Sequence, residues 1–123
     1  MQTKNRGFTI LELLVVIAII GILVTATLAM LSDSRSKAKN SAFRSEIDTL
    51  QKNLISKCND RNLISSDIYA GSTYSAFTVD PTTQSCGTLG NATFNIIVDS
   101  TNGGSCTSAT LTEEDIVYAP TGC

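Results

Sequence analysis

From Phe8 to Leu31 apolar residues follow one another almost without a break, and from Leu13 onward the run carries no charge. At a rise of 1.5 Å per residue, a helix over 8–31 is roughly 36 Å long, enough to cross a hydrocarbon core of about 30 Å with some tilt. Past Leu31 the pattern changes. Ser32 to Lys57 contains neither proline nor glycine, and Phe43, Ile47, Leu50 and Leu54 recur at spacings of four, three and four. That spacing predicts a continuing helix with one apolar face, which would pack on a sheet. Arg35, Lys39, Glu46 and Lys52 are placed on the opposite, solvated face. A stop is expected near Cys58, where Asn59, Asp60, Arg61 and Asn62 read as a turn.

Beyond the turn the period shortens to β-prone runs. Tyr74 to Val79 and Thr93 to Val98 are rich in aromatic and β-branched residues, and Ala109 to Leu111 and Ile116 to Tyr118 are shorter candidates. Asp80-Pro81 breaks the first run and Asn102-Gly103-Gly104 follows the second. Thr112 to Asp115 joins the last two as a hairpin. The expected fold is α+β: a long N-terminal helix, apolar and then amphipathic, packed on a small antiparallel sheet. There is no internal repeat.

Glu12 interrupts the start of the apolar run. A carboxylate in a membrane segment costs on the order of 2.5–3.5 kcal/mol at a helix centre and less near an end, so such a residue is read as functional. It needs a partner, and the segment is expected to supply none. A secretory signal would place basic residues, an apolar run and then a small-residue cleavage site. Here Lys4 and Arg6 lead directly to Gly7, and no Ala-x-Ala site closes the run before Ser32. The stretch Gly-Phe-Thr-Ile-Leu-Glu-Leu-Leu from Gly7 to Leu14 resembles the class III leader of type IV pilins and of type II secretion pseudopilins. The resemblance implies a pilin-like fold and cleavage after Gly7 by a prepilin peptidase, with N-methylation of the new terminus at Phe8. It further implies that Glu12 pairs with the amino terminus of a neighbouring copy as helices bundle into a filament core on a pilus assembly platform. An ammonium supplied by a neighbour offsets the cost of burying a carboxylate. Many pilins carry a proline in the apolar helix; this chain has none before Pro81, which leaves Gly21 as the position where the helix could loosen.

The 123 residues suit one small domain and its arm. The expected division is a leader at 1–7, a membrane or filament-core helix at 8–31, an amphipathic helix at 32–58 and a β-rich head at 59–123. A head of that size gains from covalent staples. Cys58, Cys86, Cys106 and Cys123 all follow the apolar run without any Cys-x-x-Cys spacing, which points to disulfides on an oxidising face rather than a metal site. Four cysteines allow three pairings. A hairpin turning at Thr112 to Asp115 brings Cys106 and Cys123 together, leaving Cys58 for Cys86.

No catalytic constellation is expected: there is no histidine, the thiols are read as oxidised, and no phosphate-cradling loop precedes a helix. The expectation is therefore a non-enzyme without cofactor or metal. Glu113, Glu114 and Asp115 have the chemistry to chelate calcium, as a head loop does in some major pseudopilins, but an exposed turn accounts for them better. Asn91-Ala92-Thr93 fits the glycosylation sequon, which is common by chance. Two functional classes stand: a structural filament subunit, either of a type IV pilus or of a secretion or competence pseudopilus, and a single-pass membrane binding protein that never polymerises. The first expects a cytoplasmic N-terminus and a head outside the cytoplasmic membrane, in lipid before assembly and on a surface pilus afterwards, with the chain itself as principal partner.

Every lysine and arginine lies at or before Arg61, whereas Asp67, Asp80, Asp99, Glu113, Glu114 and Asp115 follow it. Loss of Lys4 and Arg6 with the leader leaves seven basic against eleven acidic side chains, a net −4. Arg35, Lys37, Lys39 and Arg44 outnumber the basic residues of the leader, so the positive-inside rule alone would misplace the head. Nucleic-acid affinity rests on basic groups that release counterions, and an acidic surface repels phosphates within a Debye length of about 8–10 Å. Fibres made only of this chain should therefore bind double-stranded DNA weakly or not at all at physiological salt. In a filter-binding titration, tight and steeply salt-dependent retention would mean that Arg35 to Arg44 is exposed in place of the heads.

Overall fold

The computed structural model describes residues 7–75, 77, 81–89 and 91–123. Helix α1 spans Ile10–Asp60, and strands β1 (Gln84–Ser85), β2 (Thr93–Asp99), β3 (Ser108–Thr112) and β4 (Ile116–Ala119) follow. Two compact units result, one ending at Arg35 and the other running from Ser36 to Cys123.

In the first unit α1 runs unbroken through Gly21, whose surroundings are open. No proline interrupts the backbone ladder. Thr25 and Thr27 turn their hydroxyls inward along the helix, Thr25 Oγ1 donating to the Ile22 carbonyl at 2.8 Å and Thr27 Oγ1 to that of Val24 at 2.9 Å. A hydroxyl satisfied this way is tolerated in an apolar setting. The apolar side chains are exposed on every side of the helix, from Leu11 (73%) to Met30 (74%), and the helix is long and apolar enough to cross a membrane.

The second unit has the α+β architecture. The sheet is an antiparallel meander in the order β1-β2-β3-β4. Alternation along β2 buries Phe94, Ile96 and Val98 while Asn95, Ile97 and Asp99 face outward, and Ala109 and Leu111 of β3 join the inner layer. Onto it packs the stripe Phe43, Ile47, Leu50 and Leu54 of α1, with Leu63, Ile68 and Tyr74 closing the core. Each large side chain so buried contributes about 1.5–3 kcal/mol.

Polar clasps fix how the loops sit on α1. Gln51 Nε2 donates to the Thr112 carbonyl at 2.7 Å and holds the hairpin turn, and Asn40 Oδ1 accepts from Ser105 N and Cys106 N at 2.9 and 3.2 Å. At the helix end, the Cys58 carbonyl accepts from Gly87 N at 2.6 Å. Gly87 has φ +96°, a left-handed conformation that glycine adopts without a Cβ penalty, so a distant loop caps the helix. Tyr118 of β4 donates to Asp48 at 3.3 Å; its ring meets Phe43 edge-on and lies 4.9 Å from the Arg44 guanidinium carbon. Burial first, and then the Asp48 charge, pushes the Tyr118 phenol up to about 12.

Three expectations need correction. The run Tyr74 to Val79 is not a strand where it is described: Tyr74 makes one isolated bridge to Ser100 and serves the core, while Ala76 and 78–80 lie outside the described residues, as does Asp80 of the expected Asp80-Pro81 break. β1 was not signalled by composition; Gln84 earns its place by side-chain bonds to the Leu63 backbone, N–H to Oε1 at 2.7 Å and Nε2 to carbonyl at 3.0 Å. Glu46 is not on a solvated face. It is half-buried and accepts hydrogen bonds from Ser72 and Thr73.

Asp67, 3% exposed, is the charged centre of the turn after α1. It accepts from Arg61 Nη1 and Nη2 at 2.8 and 2.6 Å, from Lys57 Nζ at 2.8 Å and from Ile64 N at 2.9 Å. The Arg61 bonds above all, helped by Lys57 and the Ile64 amide and opposed by burial, hold its carboxyl well below the usual carboxylate range. A depressed folded value means that the stabilisation is fully present above the unfolded value of about 3.9 and is lost as pH falls below it toward the folded value. Asp67→Asn should therefore lower stability at neutral pH by about 1.5–3 kcal/mol, the scale of hydrogen bonds to charged groups, and give a shallower loss between about pH 4 and 2. Parallel acid limbs in denaturant titrations of the two proteins would contradict this.

Candidate functional site

The site candidates at the N-terminus meet at the first turn of α1. Gly7 and Phe8 precede the helix in exposed chain without regular secondary structure; Phe8 is 80% accessible, and nothing packs where a Gly7 Cβ would project. The Gly7–Phe8 bond is thus open to a protease in the described chain. Thr9 is the N-cap. Glu12 Oε2 accepts from Thr9 N and from Thr9 Oγ1, both at 2.9 Å, and Glu12 N donates back to Thr9 Oγ1 at 3.2 Å. This is a reciprocal capping box, satisfying two amides that the helix ladder leaves open, with the acidic side chain at the positive end of the helix dipole.

Glu12 therefore does have a local partner, contrary to the expectation from charge alone. The missed signal was the spacing of a threonine three positions before a glutamate at the head of an apolar run. The partner is neutral, and both bonds to the carboxylate use the same oxygen, Oε2. Oε1 keeps its lone pairs and the negative charge has no counter-ion among the described residues.

Residues 2–28 match the family described as the prokaryotic N-terminal methylation motif. The chain carries a class III prepilin leader. That leader belongs to type IV pilins and pseudopilins, and it implies processing by a prepilin peptidase and pilus-type assembly. With the apolar helix it is consistent with membrane anchoring, and the motif family is structural rather than enzymatic. No curated protein and no solved structure matches the chain.

The second unit contains disulfides Cys58–Cys86 and Cys106–Cys123. The first ties the last turns of α1 to the residue after β1; the second ties the loop before β3 to a position beyond β4. Closing loops of 28 and 17 residues removes unfolded-state entropy worth about 3–4 kcal/mol each in the chain-entropy account. The acidic hairpin residues are used locally: Glu113 Oε2 accepts from Phe94 N at 3.3 Å, and Asp115 Oδ1 from Ile116 N at 2.8 Å. Asn91 is exposed just ahead of β2.

Proposed function

We propose that this prepilin is the structural subunit of a type IV pilus-like filament. It is inserted in the cytoplasmic membrane through 8–31, cut between Gly7 and Phe8, N-methylated at Phe8 and assembled as a homopolymer through α1, with the head at 59–123 outside. The observation that carries this reading is the junction of a prepilin leader with a helix whose apolar side chains are exposed all round. Such a surface calls for cover, first by lipid and then by the helices of other copies. Lipid and packed helices are similarly apolar, so the transfer between them yields little hydrophobic energy. Register must come from packing and from the one charge in the segment, Glu12. Its uncommitted Oε1 supports a role in accepting the amino terminus that cleavage creates on a neighbour. The cap keeps the carboxylate oriented meanwhile.

Intact-mass measurement of subunits from sheared surface fibres should give a chain that starts at methylated Phe8. Retention of Met1, or a terminus elsewhere, overturns the processing step. Fibres that stay short and periplasmic would assign the chain to a secretion or competence pseudopilus, and a processed protein that never polymerises would leave only a membrane binding role.

Glu12→Gln separates the two duties of the carboxylate, because glutamine at that position still completes a capping box but carries no charge. If charge pairing sets assembly, Glu12→Gln and Glu12→Ala should both insert and be cleaved, yet give roughly tenfold or more fewer fibres, as loss of a buried charged pair would. Normal fibre yield from Glu12→Gln would reduce Glu12 to a helix cap.

A further inference from the structure

Glu46 faces a cavity of about 420 Å³ between residues 45–49 of α1 and the loop 69–74. Its carboxylate accepts from Ser72 Oγ and from Thr73 N and Oγ1, the latter two at 3.1 and 2.7 Å. These donors are neutral, and no lysine or arginine pairs with Glu46 among the described residues. The bond from Ser72 foremost holds the carboxyl below its ordinary range, so it stays charged at neutral pH. Tyr69 and Tyr74 also line the cavity; the first is 60% exposed and the second only 4%.

A fixed carboxylate beside aromatic rings is the chemistry that takes up a cation. A guanidinium prefers to fork across both oxygens of a carboxylate, but here both oxygens already hold donors. A compact ammonium needs one lone pair and suits what is left.

The charge placement of the chain points to the source. Lys57 and Arg61 are committed to Asp67, Arg44 lies over the Tyr118 ring, and no basic residue follows Arg61. The remaining lysines of the described chain are Lys37, Lys39 and Lys52, all exposed. Lys37 has Asp33, and Lys52 has Asp48, four positions earlier on the helix, where opposite charges attract. Lys39 has no acidic residue three or four positions away in either direction, and the like-charged Arg35 stands one turn before it. Lys39 cannot serve its own Glu46, seven positions on. The Cα atoms are about 10.5 Å apart along the axis, and helical side chains lean toward the N-terminus, which carries the ammonium away. A second copy displaced along the helix axis has no such restriction.

We propose that the cavity at Glu46 receives the ammonium group of Lys39 from a second copy of the chain, forming an ion pair across the subunit boundary. The proposal rests on the filament reading, since assembly supplies the displaced neighbour. It places a charge contact in the head-bearing half of α1, independent of the one at Glu12.

Zero-length carbodiimide coupling of intact fibres tests it, because that reagent joins a carboxylate to an amine only where the two touch. Peptide mapping of the covalent dimer should recover Glu46 bonded to Lys39. Co-expression of Lys39→Arg with Glu46→Gln leaves Glu46 on one copy and Lys39 on the other, so the same peptide should persist in mixed fibres and vanish from fibres of either variant alone. Tyr69→Ala should cut the coupling yield about two- to fivefold, the scale of one exposed cation–π contact. Fibres that give no Glu46–Lys39 peptide, or couple Glu46 to Lys37 or Lys52 instead, overturn the pairing while the filament function stands. An unchanged yield in Tyr69→Ala overturns the cavity as its seat. Absence of fibres from wild-type cells overturns the filament function itself.

Discussion

A helix that is apolar around its whole circumference has no stable resting place in water, and α1 up to Leu31 is such a helix. Its helical ladder runs unbroken, the hydroxyls of Thr25 and Thr27 are folded back onto carbonyls, and its glutamate is folded into the cap. The hydroxyls of Thr9, Thr25 and Thr27 thus all have partners within the arm, whereas one oxygen of the Glu12 carboxylate and its charge do not. The apolar surrounding itself must come from outside the chain. Past Ser36 the same helix obeys a different rule, with one buried stripe and polar clasps that reach from Asn40 and Gln51 to the loops of the sheet.

The two halves of α1 were legible in the sequence for different reasons. The arm announces itself by composition, and the leader by a specific arrangement of Gly7, Phe8 and Glu12. The amphipathic half is legible because Phe43, Ile47, Leu50 and Leu54 keep helical spacing, and all four are buried. β2, β3 and β4 lie where β-branched and aromatic residues concentrate, each within a residue or two of the expected limits. β1 was not legible because it is two residues long and held by Gln84 reaching back to Leu63, a contact across the fold that no local pattern records. Tyr74 misled for the complementary reason: aromatic and β-branched residues also serve a core from a loop. Glu46 was unreadable alone, since its partners Ser72 and Thr73 are 26 and 27 positions away.

Charge is handled with a similar economy. Asp67 engages the last two cations of the chain, Tyr118 engages Arg44, and past Arg61 the only charged side chains are carboxylates. The carboxylates of Asp67, Glu46, Glu113 and Asp115 are tied by hydrogen bonds to particular loops or strand ends. Acidic residues here do the work of turn fasteners as well as of surface charge.

The bond between Cys58 and Cys86 also decides how the molecule bears a load. Tension drawn along α1 reaches Cys58 near the end of the helix and passes through sulfur directly to Cys86, on the far side of β1. The segment between them, 28 residues in sequence separation, is bypassed and stays slack. Roughly 95 Å of chain, at about 3.4 Å per extended residue, is thereby withheld from any stretching of the head. The turn built on Asp67 and the loop that carries Tyr69 and Tyr74 both lie inside that segment, so a pull along α1 does not run through their backbone while the bond is intact.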